Sequence, residues 1–544
     1  MSENETWTDD IANQPPPFEN VNLFASDRVL TETIDREGAA IDKAQLQEFG
    51  AAMGAAEMWE MAAAIHRHTP ELHSHDRYGR RTDRVEYHPA YHTIISKALK
   101  AGTSAAPWRG DQCGHTLHAA LEYLLAKVEP SVCCPVTMTY AAPAALKHAA
   151  ETAAKWIPAV AAAEYDPSER PAGMKRGVTI GMAMTEKQGG SDLRANTTRA
   201  DPLGDGWYRL DGHKWFCSAP MSDGFLTLAQ TENGLTCFLA PRIGRDGKHN
   251  GIHIIRLKDK LGDRANASSE IEYHGAEAVL IGEEGRGIRT LIDMVHHTRL
   301  DCAVAPAAFM QTALAQAMWH TSHRRAFGKL LVDQPLMRRV LADLAVEAEA
   351  ATMLAFRLSR SFDEMQHDET AQLLSRLATP IAKYWLNKRV IGHVAECMEC
   401  HGGGGYVEEW PIARYYRQAP LNGIWEGSGN VICLDVLRAM ARHKGATDVL
   451  ISELKLAAGA NRHFDRAVSN SAALFGQTGE ENARRISERI AVLLEASLML
   501  RHAPAADADL FCASRLGDDI HQSYGAFAGD ADVDEIIARA MPMA

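Results

Sequence analysis

The sequence predicts a mainly α-helical protein with a central β domain. Four parts are expected: an N-terminal helical domain, an antiparallel β domain, a four-helix bundle and an extra C-terminal helical domain. Three observations carry this reading. Short β-type runs after about Arg176 are punctuated by Gly-Asp-Gly and Glu-Asn-Gly, the chemistry of hairpin turns. Leu336, Val340, Leu344, Ala348, Ala351, Ala355 and Leu358 keep one apolar helical face over several turns. A chain of 544 residues exceeds what one hydrophobic core supports, so several domains are required.

In chain order, residues 1–40 read as an arm that wraps a surface, broken by Pro-Pro-Pro at 15–17. Residues 41–175 form the first helical domain, interrupted by the charged Asp76–Arg84 loop and by Pro107, Pro130 and Pro135. The β domain spans 176–287, with runs at Val178–Met184, Gly206–Leu210, His213–Cys217, Leu226–Gln230, Leu235–Leu239, Ile252–Arg256 and Glu270–Tyr273. Residues 288–445 follow as the bundle, with helical stretches at about 291–320, 336–358, 369–400 and 430–443, ended by Gly445. The appended helical domain occupies 446–544 and carries a polar break at 476–481.

Composition narrows the function. A hydrophobic share of 46% with 23% charged residues is that of a soluble globular protein, and no apolar run reaches the length of a membrane span. The acidic, polar start MSENETWTDDIANQPPPFEN is neither a signal nor a transit peptide, so a cytoplasmic location is expected and the ten cysteines are expected to be reduced. A net charge of -13 argues against nucleic-acid binding as the dominant property.

Several motifs mislead. Cys397-Met-Glu-Cys400-His401 matches a haem attachment pattern, yet the chain has no export signal and the cysteines lie in an apolar helical run. Gly402–Gly405 lacks the Gly-Lys-Ser/Thr ending of a phosphate loop and follows no strand. No G-x-G-x-x-G follows a strand, and no G-x-S-x-G is present. The histidines at 66, 68, 73, 75, 88 and 92 lack a ligand framework, so no metal site is expected.

The stretch that carries chemistry is Leu421-Asn-Gly-Ile-Trp425-Glu426-Gly-Ser-Gly-Asn430, a glycine-rich turn that opens a helix. Ser428 or Asn430 is placed to cap that helix. A carboxylate beside an indole is poorly solvated, which raises its pKa and makes it a useful proton acceptor. The competing reading is a helix-terminal Glu stabilised by the dipole. Four further segments precede it. Gly181-Met-Ala-Met-Thr-Glu-Lys-Gln-Gly-Gly-Ser-Asp192 is a strand leading into a turn whose amides can face an anion. Lys214-Trp-Phe-Cys-Ser218 places an aromatic pair on the next hairpin. Arg324-Arg-Ala-Phe-Gly-Lys-Leu-Leu-Val-Asp-Gln334 and Gly402–Gly405 follow.

These five segments, in this order, resemble the acyl-CoA dehydrogenase family over nearly the whole chain. Met-Thr-Glu-Lys-Gln-Gly-Gly-Ser-Asp, Ile-Trp-Glu-Gly-Ser-Gly-Asn, Asn13-Gln14-Pro15-Pro16 and the extra C-terminal domain are similar to its AidB branch, the DNA alkylation response proteins. The resemblance implies an acyl-CoA dehydrogenase-like fold, non-covalent FAD and a homo-oligomer, a tetramer, acting on an acyl-CoA. Glu426 matches the catalytic base and Arg299 the arginine beside it. Met182, Met184, Thr185, Gly190 and Ser191 match the strand and turn lining the flavin, and Trp215, Phe216, Cys217 and Ser218 the segment against its ring. Arg324, Gln334, Gly402 and Gly403 match residues that serve a neighbouring subunit's FAD. Trp425, Ser428 and Asn430 match cofactor contacts around the base.

Two positions depart from the family's pattern. Glu399 replaces the usual Gln, and Trp425 replaces a smaller Tyr and narrows the acyl pocket. The implied reaction is α,β-dehydrogenation of a thioester, with Glu426 removing the α-proton and the flavin as hydride acceptor. The alternative implied by the branch is an alkylation-response flavoprotein that binds duplex DNA, with residual dehydrogenase activity. Arg462/Arg466 and Arg484/Arg485/Arg489 are its candidate phosphate contacts. Against it, residues 441–544 carry 11 basic and 15 acidic side chains, a net charge of -4.

Overall fold

The computed structural model describes residues 13–443, 445–476, 479–529 and 531–543. Residues 1–12 of the expected arm, with Gln477 and Thr478 of the polar break, lie outside the described residues. Arm residues 13–18 run along the bundle: Trp319 Nε1 donates to Pro16 O at 2.8 Å, and Phe18 meets the Trp319 ring at 5.2 Å. The arm reading needs one correction, because helix α1 (Arg28–Glu37) lies within it. Asp27 caps α1 by accepting from the Leu30 amide, and Leu30 and Ile34 are buried.

Helices α2 (Lys43–Gly54) and α3 (Ala56–Arg67) lead into a hairpin, β1 (Glu71–His75) and β2 (Arg81–Glu86). The charged Asp76–Arg84 segment, expected as a loop inside helical chain, is thus mostly this hairpin. Its alternating polar residues leave one face to solvent. Helices α4 (Pro89–Lys100), α5 (Gly114–Ala126), α6 (Pro130–Leu146) and α7 (Ala150–Ala161) complete the segment, with α5 and α6 packed on the bundle. Pro89 and Pro130 occupy first-turn positions of α4 and α6, where the missing N–H costs nothing.

The β domain contains β3 (Ile180–Ala183), β4 (Arg199–Gly204), β5 (Trp207–Ser218), β6 (Gly224–Thr231), β7 (Gly234–Pro241), β8 (Ile252–Leu257) and β9 (Ser268–Ile281). Strands β6, β4, β5, β9 and β7 pair in a closed circuit; β3 pairs with β6 along Gly224–Thr227 and β4 meets it at Gln230, and β8 pairs with β9. Two expectations change here. Gly206–Leu210 and His213–Cys217 are one strand, and the pairings β3–β6 and β4–β6 are parallel rather than antiparallel. Gly212 falls between those two runs. It lies against Thr198, where a Cβ would come within 2.6 Å of that residue's Cα, so the glycine serves close backbone approach.

The bundle is built from α8 (Gly287–His323), α9 (Pro335–Glu364) and α10 (Glu369–Cys400), which pack on one another. A two-residue hairpin, β10 (Arg325–Ala326) and β11 (Lys329–Leu330), joins α8 to α9. After α11 (Ile412–Gln418), α12 (Gly429–Arg442) lies against α10 as the fourth helix. Five more helices follow: α13 (Ala446–Lys455), α14 (Arg462–Phe475), α15 (Ala483–His502), α16 (Ala505–Leu516) and α17 (Val533–Ala540). Buried ion pairs tie them to the bundle. Arg515 meets Glu347 at 2.8 Å, and Glu453 meets Arg357 at 3.0 Å. Among the described residues no helix is long and apolar enough to cross a membrane.

Candidate active site

The turn before α12 is held in an unusual backbone conformation. Glu426 has φ +57° and Gly427 φ +99°. A non-glycine residue in the left-handed region costs of order 1–2 kcal/mol, so the surroundings must impose it. Lys383 of α10 does so: its Nζ donates to Trp425 O at 2.8 Å and also to Gly427 O, the two carbonyls flanking Glu426. Lys383 is 1% exposed, and burial pushes its ammonium down to about 8. The Trp425 indole is fixed as well, with Nε1 donating to Asn422 Oδ1 at 2.7 Å. The expected side-chain cap is not made. Ser428 occupies the N-cap of α12 without a cap hydrogen bond, and Asn430 Oδ1 accepts from Arg484 of α15 at 2.8 Å.

Helix α8 supplies the other side of the site. Thr298 Oγ1 donates to Glu426 Oε2 at 2.7 Å, while Oε1 has no hydrogen bond among the described residues. Arg299 does not pair with that carboxylate. Its Nε donates to the Glu426 carbonyl at 3.2 Å, and its Nη1 meets Asp435 Oδ2 at 2.7 Å. Arg376 shares Asp435 at 3.0 Å. Burial opposes the Asp435 charge, but Arg376 and Arg299 hold its carboxyl below the ordinary range. Burial lifts the Glu426 carboxyl above the ordinary range, against the Thr298 hydroxyl and the Arg299 and Lys383 cations, which pull it down. The arrangement is a desolvated carboxylate with one oxygen positioned and the other open, suited to proton abstraction.

Met182, Met184 and Trp425 pack against one apolar cluster that contains Met138, Tyr140 and Met294, so the β3 end and the Glu426 turn come together. Trp215 N donates to Thr185 O at 2.8 Å, setting the 215–218 segment beside that strand end. The intervening loop is anchored by Glu186, whose carboxylate takes Lys214 Nζ at 2.8 Å and the Thr197 amide at 2.7 Å. Burial opposes the Glu186 charge, yet Lys214 holds it down to about 2.

A break in the β5–β9 register between Lys214 and Cys217 sorts the four residues expected against the flavin ring. Trp215 and Ser218 are half-buried and Phe216 is 48% exposed, whereas Cys217 is fully buried with its side chain in the β core. Cys217 therefore departs from expectation: only its backbone can reach a cofactor. An aromatic shelf of Trp215 and Phe216, the half-buried Met184 and the exposed Gly190 and Ser191 fit an isoalloxazine ring and its neighbouring oxygens. A Cβ at Gly190 would stand 2.6 Å from Thr185 Oγ1, so glycine keeps that turn tight on the strand end.

Arg324, Gln334, Gly402 and Gly403 are elsewhere. The His320 and His401 rings, 4.7 Å apart, bring the ends of α8 and α10 together and gather these four at that end. Arg324 follows Thr298 by 26 residues along α8, which spans roughly 39 Å. Arg324 Nη1 donates to Asn13 O at 2.8 Å, Gln334 Nε2 donates to Ala326 O at 3.1 Å, and nothing lies within 4 Å of a Cβ built on Gly402 or Gly403. The expected cofactor residues thus form two groups too far apart to serve one ligand within a chain.

Thr298, Lys383, Asp435 and Asn422 escaped the sequence reading. Lys383 did leave a signal, a lone lysine in the run Leu377-Ala-Thr-Pro-Ile-Ala-Lys-Tyr-Trp-Leu386. At the Cys397–His401 pattern, both cysteines are buried and His401 Nδ1 lies 2.7 Å from Cys397 O.

Three family models match successive parts of the chain. The adaptive response protein AidB N-terminal domain matches residues 13–167. The acyl-CoA dehydrogenase middle domain matches 181–276, and the acyl-CoA dehydrogenase C-terminal domain 285–441. The chain is 43% identical over 508 residues to the putative acyl-CoA dehydrogenase AidB of Escherichia coli (strain K12), covering 93% of this chain and 94% of that one. The crystal structure of Caenorhabditis elegans ACDH-11 in complex with C11-CoA matches with a TM-score of 0.85 at 25% identity, over 95% of each chain. An acyl-CoA dehydrogenase from Bacillus anthracis, complexed with FAD, shares the fold at a TM-score of 0.64 and 17% identity, over 90% of this chain and 83% of that one.

Proposed function

The chain belongs to the acyl-CoA dehydrogenase family, in its AidB branch, and from that premise we propose that it binds FAD and dehydrogenates an acyl-CoA thioester with Glu426 as the base. The observation that carries this reading is the desolvated Glu426 carboxylate, held by Thr298 at one oxygen and free of hydrogen bonds among the described residues at the other. A thioester carbonyl acidifies its α-carbon, and Glu426 Oε1 is the oxygen left to take that proton. When bound, FAD supplies the hydride acceptor. Met184, Thr185, Trp215, Phe216 and Ser218 would hold its ring.

The remaining side chains keep the base ready. Lys383 fixes the backbone on both sides of Glu426, and Arg299 fixes the Glu426 carbonyl while Asp435 absorbs much of its charge. The surrounding apolar cluster keeps water from a carbon acid that must lose a proton. ACDH-11 with its bound C11-CoA supports an acyl-CoA as the ligand here. The two separated groups of cofactor residues support FAD sites completed by a neighbouring subunit in a homo-oligomer, by resemblance a tetramer.

Anaerobic addition of acyl-CoAs of graded length to the yellow protein tests the reading. At least one should bleach the flavin. Glu426→Gln should keep FAD content and lower that reduction rate by several orders of magnitude. An unreduced flavin with every thioester, or wild-type rates in the variant, would refute it.

A further inference from the structure

We propose that a second cavity, separate from the Glu426 site, binds a small organic carboxylate through Arg242. This inference does not rest on the dehydrogenase reading. The cavity lies where the end of β2, the start of α4, the 165–169 linker and the β domain meet, and its volume is about 480 Å³. That size is typical of small-molecule sites. It is not an extension of the active site, since neither Glu426, Thr298, Arg299, Trp425 nor Met184 lines it. Thr179, which does, precedes Met184 by five residues along one extended stretch, a separation of about 16 Å.

The lining pairs one unsatisfied cation with an apolar wall. The Arg242 side chain is 6% exposed, and its Nε and Nη1 have no hydrogen-bond partner among the described residues. A buried guanidinium left with free donors is costly, and it calls for an oxyanion. Glu169 stands 3.5 Å from Nη1, too far for a good hydrogen bond, and its side chain is 43% exposed, so it can swing aside. Tyr87, Tyr91 and Met221 supply the wall, with the two tyrosine rings stacked at 4.2 Å.

Charge selects among anions. Glu86, Asp166 and Glu169 reach the lining together with the cations Arg84 and Arg242, so carboxylates outnumber cations by one. A lining with an excess of carboxylates disfavours a dianionic phosphate more than a monoanion. A carboxylate also matches the planar fork of a guanidinium with two parallel hydrogen bonds. The ligand class is therefore a monocarboxylic acid with a compact apolar or aromatic body.

Calorimetric titration of the FAD-loaded protein with 4-phenylbutyrate tests this, with the neutral 4-phenylbutanamide as the control. The acid should bind once per chain and the amide at least tenfold more weakly. Arg242→Gln should weaken acid binding about tenfold or more, whereas Glu169→Gln, which removes a competing carboxylate, should strengthen it about threefold. Misfolding cannot produce effects of opposite sign. The flavin spectrum should not change on binding. Absence of binding, insensitivity to both substitutions, or a shifted flavin spectrum would each overturn the assignment.

Discussion

The ammonium of Lys383 stands 2.8 Å from the carbonyl oxygen of Trp425, and the same group reaches Gly427 O, so one buried cation grips the chain on both sides of Glu426. Lys383→Met keeps the volume but removes the charge and leaves two carbonyls without a donor. Reduction by acyl-CoA should slow by about tenfold to a hundredfold, since base placement to within an ångström is worth that much. FAD content and acyl-CoA affinity should hold. The cation also lowers the Glu426 pKa, so the acid limb of the rate profile should move to higher pH. A lower melting temperature with an unmoved pH profile would reduce Lys383 to a structural residue.

Thr298 acts on the carboxylate itself. Its hydroxyl stabilises the anion, the form that accepts a proton, from 2.7 Å. Burial already raises the Glu426 pKa, so the rate of flavin reduction should rise with pH through a value above the ordinary carboxylate range. Thr298→Val removes a hydrogen bond to a charged group, worth about 1.5–3 kcal/mol. The midpoint should therefore climb by a further one to two pH units or so. Stopped-flow reduction measured across pH reads this directly, and an unchanged midpoint would detach Thr298 from the base.

The candidate site residues at loops stand out in the sequence because glycine and aromatic neighbours mark them. Glu426 between Trp425 and Gly427, and Met184–Ser191 at a strand end, are of this kind. The elements that escaped are those whose sequence is polar or whose signal is shared. Strand β4, Arg199-Ala-Asp-Pro-Leu-Gly204, is too polar for a β pattern and sits with five of its six residues exposed. The single strand β5 reads as two runs split at Asp211-Gly212, where the glycine serves close approach to Thr198. Lys383 stands out only as a lone lysine in an apolar run, and Asp435 not at all, since their partners lie far along the chain and long-range contacts leave no local period. Cys217 matches the family position, but it follows a register break in β5 and its side chain is buried in the β core, which the sequence does not mark.

Phe327 is 99% exposed, with φ +53°, at the tip of the β10–β11 hairpin beside Arg324. A large apolar side chain presented on a turn next to expected cofactor residues fits a subunit contact. Phe327→Asp should dissociate the oligomer by light scattering and lower FAD occupancy together, because both depend on the same neighbour. Loss of neither would separate this hairpin from the interface, and a FAD-saturated monomer in the wild type would remove the shared-site proposal.

The appended domain makes the remaining prediction, on DNA. Of the five arginines that could meet phosphates, Arg466 is held by Asp518 at 2.8 Å and Arg484 by Asn430 at 2.8 Å. Arg462, Arg485 and Arg489, on α14 and α15, remain as contacts, with acidic Glu480, Glu481 and Glu488 close in sequence. Three phosphate contacts give a salt slope of about -3, which leaves weak binding in dilute buffer and little at physiological ionic strength. The net charge of -4 over residues 441–544 weakens it further. Filter binding with a random duplex should show affinity falling steeply with salt, and replacement of Arg485 and Arg489 by Gln should flatten the slope by about two. Tight binding at physiological salt that these substitutions abolish would overturn the charge argument, and would put an alkylation-response role ahead of the metabolic one.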